Sequence, residues 1–187
     1  MSVFNAIKVI DDLLPPKIIG QLIKFANSEI FEVGLTTGDS NPETVKKVRD
    51  TKTCPLFPYS PSLSNAHWAN LVHSFFETAF EIYKKDFPHA HYDDISHASI
   101  LKYEDKGFYA YHVDHGSSIP RTLSCIILLN NDYEGGELCF FDDISKEEYC
   151  VKTRPGRLIM WPSNFLFPHT VKPVTKGKRF SVVVWAL

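Results

Sequence analysis

The sequence has no apolar run approaching the roughly 20 residues that a membrane-crossing helix requires, so a helical membrane protein is not expected. Its first residues, Met1-Ser-Val-Phe-Asn5, lack the basic and apolar regions of a secretory signal, and the expected location is cytoplasmic. A surplus of positive charge is also missing. Lys and Arg number 20 against 22 Asp and Glu, a formal net charge of -2, which gives no basic field to attract nucleic acid or an acidic membrane surface. Neither is expected as a partner, and the oligomeric state is left open. Cysteine is scarce and has no C-x-x-C spacing, which argues against a structural zinc site. Cys125 and Cys139 fall in apolar runs where a thiol acts as a small hydrophobe, so Cys54, Cys125, Cys139 and Cys150 are all expected to be free. There is no internal repeat and no low-complexity tract.

Aromatic residues, by contrast, are plentiful. The 14 Phe, 8 Tyr and 3 Trp in 187 residues favour a β-rich interior, and a chain of this length can bury a core without metal or disulfide staples. Residues 1–187 are expected to form one domain.

The chain opens with a strand over Ala6–Ile10 and a helix from Pro16 to Asn27, whose apolar side is Ile18, Ile19, Leu22, Ile23 and Phe25. Ile30–Leu35 reads as extended. Thr36–Lys47 turns to Thr, Gly, Asp, Ser, Asn and Pro and reads as an exposed loop, either a lid or a plain connection. Val48–Phe57 re-enters a sheet. The clearest helix follows, capped by Ser64 or Asn65, with Trp68, Leu71, Val72, Phe75, Phe76, Ala79, Phe80 and Tyr83 at intervals of three and four; His67 and His73 on it read as surface or packing residues. Beyond Pro88 only strands are expected: Ile95–Tyr103, Thr122–Asn130, Glu137–Phe141, Glu148–Lys152, Arg157–Trp161, Phe167–Val174 and Phe180–Leu187. Helices first and short strands afterwards predict an α+β fold, a β-sandwich or jelly roll with helices supporting one face.

One stretch organises the strand region. In Tyr109-Ala-Tyr-His-Val-Asp114, His112 and Asp114 are two residues apart, and alternation along a strand points both the same way. An imidazole and a carboxylate make half of a two-His, one-carboxylate site suited to Fe(II) with positions left open. His169, 55 residues beyond Asp114, is the best third ligand, and Arg179 ten residues later is a guanidinium that could grip a carboxylate. Tyr103 precedes His112 by nine residues. A jelly roll can gather such distant residues into one cavity.

These residues carry a resemblance to the Fe(II)- and 2-oxoglutarate-dependent dioxygenases, most closely to their prolyl 4-hydroxylase branch. It covers about Ile95 to Leu187 and rests on Tyr103, Gly107 and Tyr109 leading into His112-Val-Asp114; on Arg121-Thr-Leu-Ser-Cys-Ile-Ile-Leu-Leu-Asn130; on Tyr133-Glu-Gly-Gly-Glu-Leu138; on Arg154-Pro-Gly156; and on His169 with Arg179-Phe-Ser-Val-Val-Val-Trp185. The resemblance implies a double-stranded β-helix (jelly roll) core with supporting N-terminal helices. It implies that His112, Asp114 and His169 bind iron and are catalytic, and that Arg179 pairs with the distal carboxylate of 2-oxoglutarate. Tyr103, and Ser124 with it, would add polar contacts to the co-substrate; Tyr109, Arg121 and Trp185 would face a proline ring. Arg179 resembles the oxygen-sensing branch and its bacterial relatives, where collagen-type members have Lys. Leu128 departs from that branch, which has a co-substrate-binding tyrosine at this position.

The implied activity is a peptidyl-proline (procollagen-proline type) 4-dioxygenase with Fe(II), 2-oxoglutarate and O2, with ascorbate as a reductant and a proline-containing protein or peptide as substrate. Two alternatives stand beside it. One is a 2-oxoglutarate oxygenase acting on another residue or a small molecule. The other is a non-catalytic or hydrolytic metal module, since two His and one Asp also suit zinc.

Overall fold

The computed structural model describes residues 2–35 and 45–187. Residues 36–44 of the loop read as a lid or a connection lie outside the described residues. After a 3-10 turn at Val3–Ala6 come β1 (Lys8–Ile10), α1 (Pro16–Ser28), β2 (Glu32–Val33), β3 (Lys52–Pro55), α2 (Leu63–Asp86), β4 (Ser99–Tyr103) and β5 (Tyr109–His112). Eight strands complete the chain: β6 (Leu123–Leu128), β7 (Glu134–Gly135), β8 (Leu138–Phe141), β9 (Glu148–Cys150), β10 (Leu158–Pro162), β11 (His169–Val171), β12 (Val174–Lys176) and β13 (Arg179–Ala186).

The strands form a seven-stranded sheet in the order β1-β10-β6-β13-β4-β3-β2, a four-stranded sheet β5-β11-β8-β9 and the pair β12-β7. Every pairing is antiparallel. This is the α+β jelly roll expected. Side-chain alternation divides the interior in two. Along β13, Phe180, Val182, Val184 and Ala186 face the helices, whereas Val183 and Trp185 face the smaller sheet; along β6, Leu123, Cys125 and Ile127 join the helix side and Ile126 and Leu128 the other.

Helix α2 fills the first layer because its apolar residues recur at helical spacing. Trp68, Ala69, Val72, Phe76, Ala79, Phe80 and Tyr83 are buried along one stripe. Its cap is Ser62, whose hydroxyl accepts from the Asn65 N–H at 3.3 Å, one turn earlier than the sequence suggests. Asn65 is used elsewhere: its side chain bonds Phe57 N and Pro55 O, tying the helix to β3.

The strand pattern differs from expectation in three places. Phe167–Val174 is two strands, with Lys172 and Pro173 between them, because a proline has no N–H for the ladder and the chain turns away to pair with β7. The Val48–Phe57 segment serves both sheets. Ala110 N reaches Val48 O and Asp50 exchanges two backbone bonds with Phe108, before β3 joins the large sheet beside β4. Finally, Cys139 and Cys150 are joined in a disulfide, which corrects the expectation of four free thiols. The cause is register: β8 and β9 place these two residues directly opposite one another.

Cys54 and Cys125 are free and buried, and burial pushes the Cys54 thiol up to about 11 and the Cys125 thiol higher than usual as well. A thiol reagent at pH 8 is therefore expected to find no fast-reacting group in the native, unreduced protein. After mild reduction one fast thiol should appear, Cys150, because Cys139 is fully buried while Cys150 is exposed.

Candidate metal centre

The cross-strand register of β11 and β5 sets His169 directly opposite His112. The two rings lie 4.2 Å apart between centroids. Asp114 lies two residues past the end of β5, in a bend and not in the strand that the sequence suggests. It still points at the histidines because His115 N is bonded to Ser163 O at 2.9 Å and the Asp114 carboxylate accepts from Ser124 at 2.7 Å. His169 Nε2 is 3.3 Å from Asp114 Oδ2 and His112 Nε2 is 3.7 Å from Oδ1. One ligand atom from each of the three residues falls within 4.8 Å of the others.

The imidazoles are oriented for coordination. His112 Nδ1 bonds the Ala110 carbonyl at 2.9 Å and His169 Nδ1 the Phe167 carbonyl at 3.1 Å. A carbonyl only accepts, so each Nδ1 carries a proton and each Nε2 is the atom turned to the shared space, where it can coordinate a cation. Burial, then the field of His169, pushes His112 down to about 3, which keeps it neutral throughout the neutral range. Burial by itself would raise Asp114. The imidazoles of His169 and His112 and the Ser124 hydroxyl outweigh it and hold the carboxyl well below its usual range. A carboxylate oxygen beside two imidazole nitrogens suits Fe(II).

A cavity of about 240 Å³ opens over these residues, walled by Tyr103, Tyr109, Arg121, Trp161, Trp185 and Arg49 among others. Tyr109 stacks on His112 with centroids 3.5 Å apart, and the Arg121 guanidinium lies 3.8 Å from the Trp185 ring centroid. Arg121 also approaches Asp114, at 3.6 Å from Oδ1. Arg49 is a cavity residue that the sequence reading did not single out. Its guanidinium lies 4.8 Å over Tyr109 and donates to the Leu35 carbonyl at 2.6 Å. The only sequence signal is its place in a segment that alternates charged and apolar residues.

Arg179 is fully buried, 5.2 Å from the ring centroid of Tyr103, the cavity residue opposite it in the β13–β4 register. One of its nitrogens donates to Ser181 Oγ at 2.8 Å, while Nε and Nη2 have no partner. A buried cation with two orphaned donors fits an anion such as the carboxylate of a keto acid. Room for the guanidinium's stem comes from Gly136, at φ +68°, where a Cβ would lie 2.9 Å from Val174 Cγ2 and 3.0 Å from Arg179 Cδ.

The structure thus gathers His112, Asp114, His169, Tyr103, Tyr109, Arg121 and Trp185 around one cavity, with Arg179 behind Tyr103. Ser124 is the exception. It does not line the cavity; its hydroxyl is committed to Asp114 and Ser163, so the co-substrate contact expected of it is corrected to a contact with the metal carboxylate.

A jelly roll with two histidines and one aspartate converging on open space suits a mononuclear metal site of the non-haem type. A family model described as the 2OG-Fe(II) oxygenase superfamily matches residues 98–187. A PKHD-type hydroxylase of Stenotrophomonas maltophilia is 37% identical over 93 residues, which cover 45% of this chain and 40% of that protein. The human protein named prolyl 3-hydroxylase 2 is 41% identical over 66 residues, or 35% of this chain and 9% of that one. The match therefore spans well under half the length of these curated relatives.

Two solved structures show the same fold over nearly the whole chain. A prolyl hydroxylase from Trichoplax adhaerens, in complex with a hypoxia inducible factor peptide fragment, has a TM-score of 0.81 at 16% identity, covering 98% of this chain and 84% of that one. A Pseudomonas putida prolyl-4-hydroxylase has a TM-score of 0.72 at 17% identity, covering 97% and 91%.

The site makes a sharp test of the Gly136 cradle. Gly136→Ala should push Arg179 aside and raise the 2-oxoglutarate requirement on the order of tenfold or more, while metal affinity stays within about twofold of the parent. Titration of each ligand separately against the variant checks both halves.

Proposed function

We propose that this protein is an Fe(II)- and 2-oxoglutarate-dependent dioxygenase that hydroxylates prolyl residues of a protein or peptide. The observation that carries the reading is the His112, Asp114 and His169 set with a buried, half-unpartnered guanidinium at Arg179 beside the same cavity. A zinc hydrolase has no use for that second feature. Bound Fe(II) and 2-oxoglutarate would supply oxidative decarboxylation, in which O2 converts the keto acid to succinate and CO2 and a substrate C–H to C–OH.

The chain's own residues do the rest. His112 and His169 would present their Nε2 atoms and Asp114 a carboxylate oxygen to the metal, leaving other positions for the co-substrate and oxygen. Arg179 would anchor the far carboxylate of 2-oxoglutarate, with Tyr103 beside it. Tyr109 and Trp185 form an aromatic wall suited to a pyrrolidine ring, and Arg121, 3.8 Å over the Trp185 ring centroid, offers donors to a neighbouring carbonyl. A polypeptide substrate seated on these half-buried walls would exclude water from the reacting groups.

Support for a prolyl target comes from this wall and from the relatives, one named a prolyl 3-hydroxylase and two solved neighbours described as prolyl hydroxylases. The resemblance in sequence favours the 4-position; the prolyl 3-hydroxylase relative keeps the 3-position as the competing outcome. Ascorbate as a reductant and a cytoplasmic setting belong to the same proposal. The buried free thiols of Cys54 and Cys125 accord with that setting, and the Cys139–Cys150 bond is the feature that opposes it.

Incubation with Fe(II), 2-oxoglutarate and proline-containing peptides should release succinate in step with a gain of one oxygen on proline, and NMR of the product fixes the ring position. Succinate release that no prolyl polypeptide accelerates would count against the prolyl target. His112→Ala should abolish turnover. Arg179→Ala is expected chiefly to raise the 2-oxoglutarate requirement, and Arg121→Ala to raise KM for the peptide by about tenfold, as steady-state kinetics will show.

A further inference from the structure

Two serines are buried next to the metal centre without lining its cavity. Ser124, on β6, points to the site side of the sheet between Leu123 and Cys125, which face the helices, and it is fully buried. Its hydroxyl lies 2.7 Å from Asp114 Oδ2 and 2.8 Å from the hydroxyl of Ser163, which is 1% exposed. Ser163 follows β10 directly, where its backbone N–H bonds Thr122 O at 3.0 Å and its carbonyl accepts from His115 N at 2.9 Å. The chain that carries Asp114 is thus pinned to β10 by its backbone and to β6 by its carboxylate.

The direction of these hydrogen bonds is forced. An ionised carboxylate only accepts, so Ser124 donates its single proton to Asp114. Ser124 then has only lone pairs left for Ser163, and Ser163 must be the donor. Proton positions therefore run Ser163 to Ser124 to Asp114 in one sense, each bond polarising the next. The bond to Oδ2, which also lies 3.3 Å from His169 Nε2, is the shortest contact that fixes the rotation of the carboxylate; Arg121 and His112 face its other oxygen at 3.6 and 3.7 Å, too far for hydrogen bonds that would orient it.

We propose that Ser163 and Ser124 are positioning residues of the metal centre, a two-hydroxyl relay that sets the rotation of the Asp114 carboxylate and so its affinity for a divalent cation. This rests on the metal reading above, but concerns residues that touch neither co-substrate nor substrate. Groups that orient a ligand from behind typically contribute 10- to 100-fold in metal affinity. Two buried hydroxyls that merely satisfied one another would contribute to folding and not to that affinity.

The experiment uses the whole chain and Mn(II) as the probe, with no co-substrate, the free ion being followed by its electron paramagnetic resonance signal. Ser124→Ala should weaken Mn(II) binding about 10- to 100-fold, and Ser163→Ala by a smaller factor, about three- to tenfold. Ser124→Thr, which keeps the hydroxyl, should restore most of the affinity lost in the alanine variant. Because the two hydroxyls act in series, the double alanine variant should bind within about twofold of Ser124→Ala alone.

Melting temperatures of the metal-free variants separate folding from positioning. Equal Mn(II) affinity in the parent and in a folded Ser124→Ala variant would overturn the proposal. So would a Ser163→Ala loss that persists undiminished in the Ser124→Ala background, since that is packing and not a relay. If parent affinity survives His169→Ala unchanged, the metal reading itself fails, and the relay fails with it.

Discussion

The centre depends on keeping one carboxylate charged inside the protein. Removing Asp114 from water disfavours its anion strongly, and burial of an unpaired charge is among the most destabilising events a fold can contain. Here the opposing fields are close at hand: two imidazoles within 3.7 Å and a hydroxyl at 2.7 Å. The arrangement holds a negative charge where two Nε2 atoms already converge. A divalent cation placed there would satisfy all three groups at once, which is why the same geometry reads as a metal centre and not as a structural ion pair. The backbone carbonyls of Ala110 and Phe167 complete the arrangement by deciding which ring nitrogen carries the proton.

Strand alternation lets one sheet serve both the core and the site. On β13 the even-numbered residues from Phe180 to Ala186 pack beneath the helices, and the odd-numbered ones, Arg179, Ser181, Val183 and Trp185, turn to the other side. A one-residue slip would put Arg179 among the phenylalanines of α2 and Phe180 in its place. The five paired residues between β13 and β4, and six between β13 and β6, make that slip expensive. Stability of the helix-packed face therefore fixes the position of a guanidinium that has no salt-bridge partner of its own among the described residues.

The parts legible in the sequence were those with a period or a local motif. Helix α2 announced itself through its stripe from Trp68 to Tyr83, the β-rich half through alternation, and the metal set through His112-Val-Asp114 with one later histidine. What escaped depends on which residues face each other across strands. Cys139 and Cys150 are eleven apart and sit in unlike surroundings, and only the β8–β9 register joins them. Arg49 reaches the cavity because its segment bridges to Tyr109, a contact 60 residues distant. Ser163 sits past a proline where no pattern predicts burial. Even a correct inference carried a wrong step: Asp114 is not in the strand with His112, and its direction comes from contacts to β6 and β10.

The reassignment of Ser124 changes what is left to hold a keto acid. The sequence reading gave Ser124 a role beside Tyr103 to offset Leu128, the position at which related oxygen-sensing enzymes resemble one another in having tyrosine. Ser124 is turned to Asp114 instead, and Leu128 adds only apolar surface. Beside Arg179 stand Tyr103 and Ser181, and Ser181 already accepts from the guanidinium at 2.8 Å. Selectivity for an anion in this part of the site then falls on the charge of Arg179 itself and on its two unpaired nitrogens. Charge-assisted hydrogen bonds are roughly twice as strong as neutral ones, so a single well-placed guanidinium can carry that load, with a planar fork of donors where a lysine offers a point charge. The requirement for space then explains the glycine at 136: any side chain there competes with the stem of the one residue whose position the anion depends on.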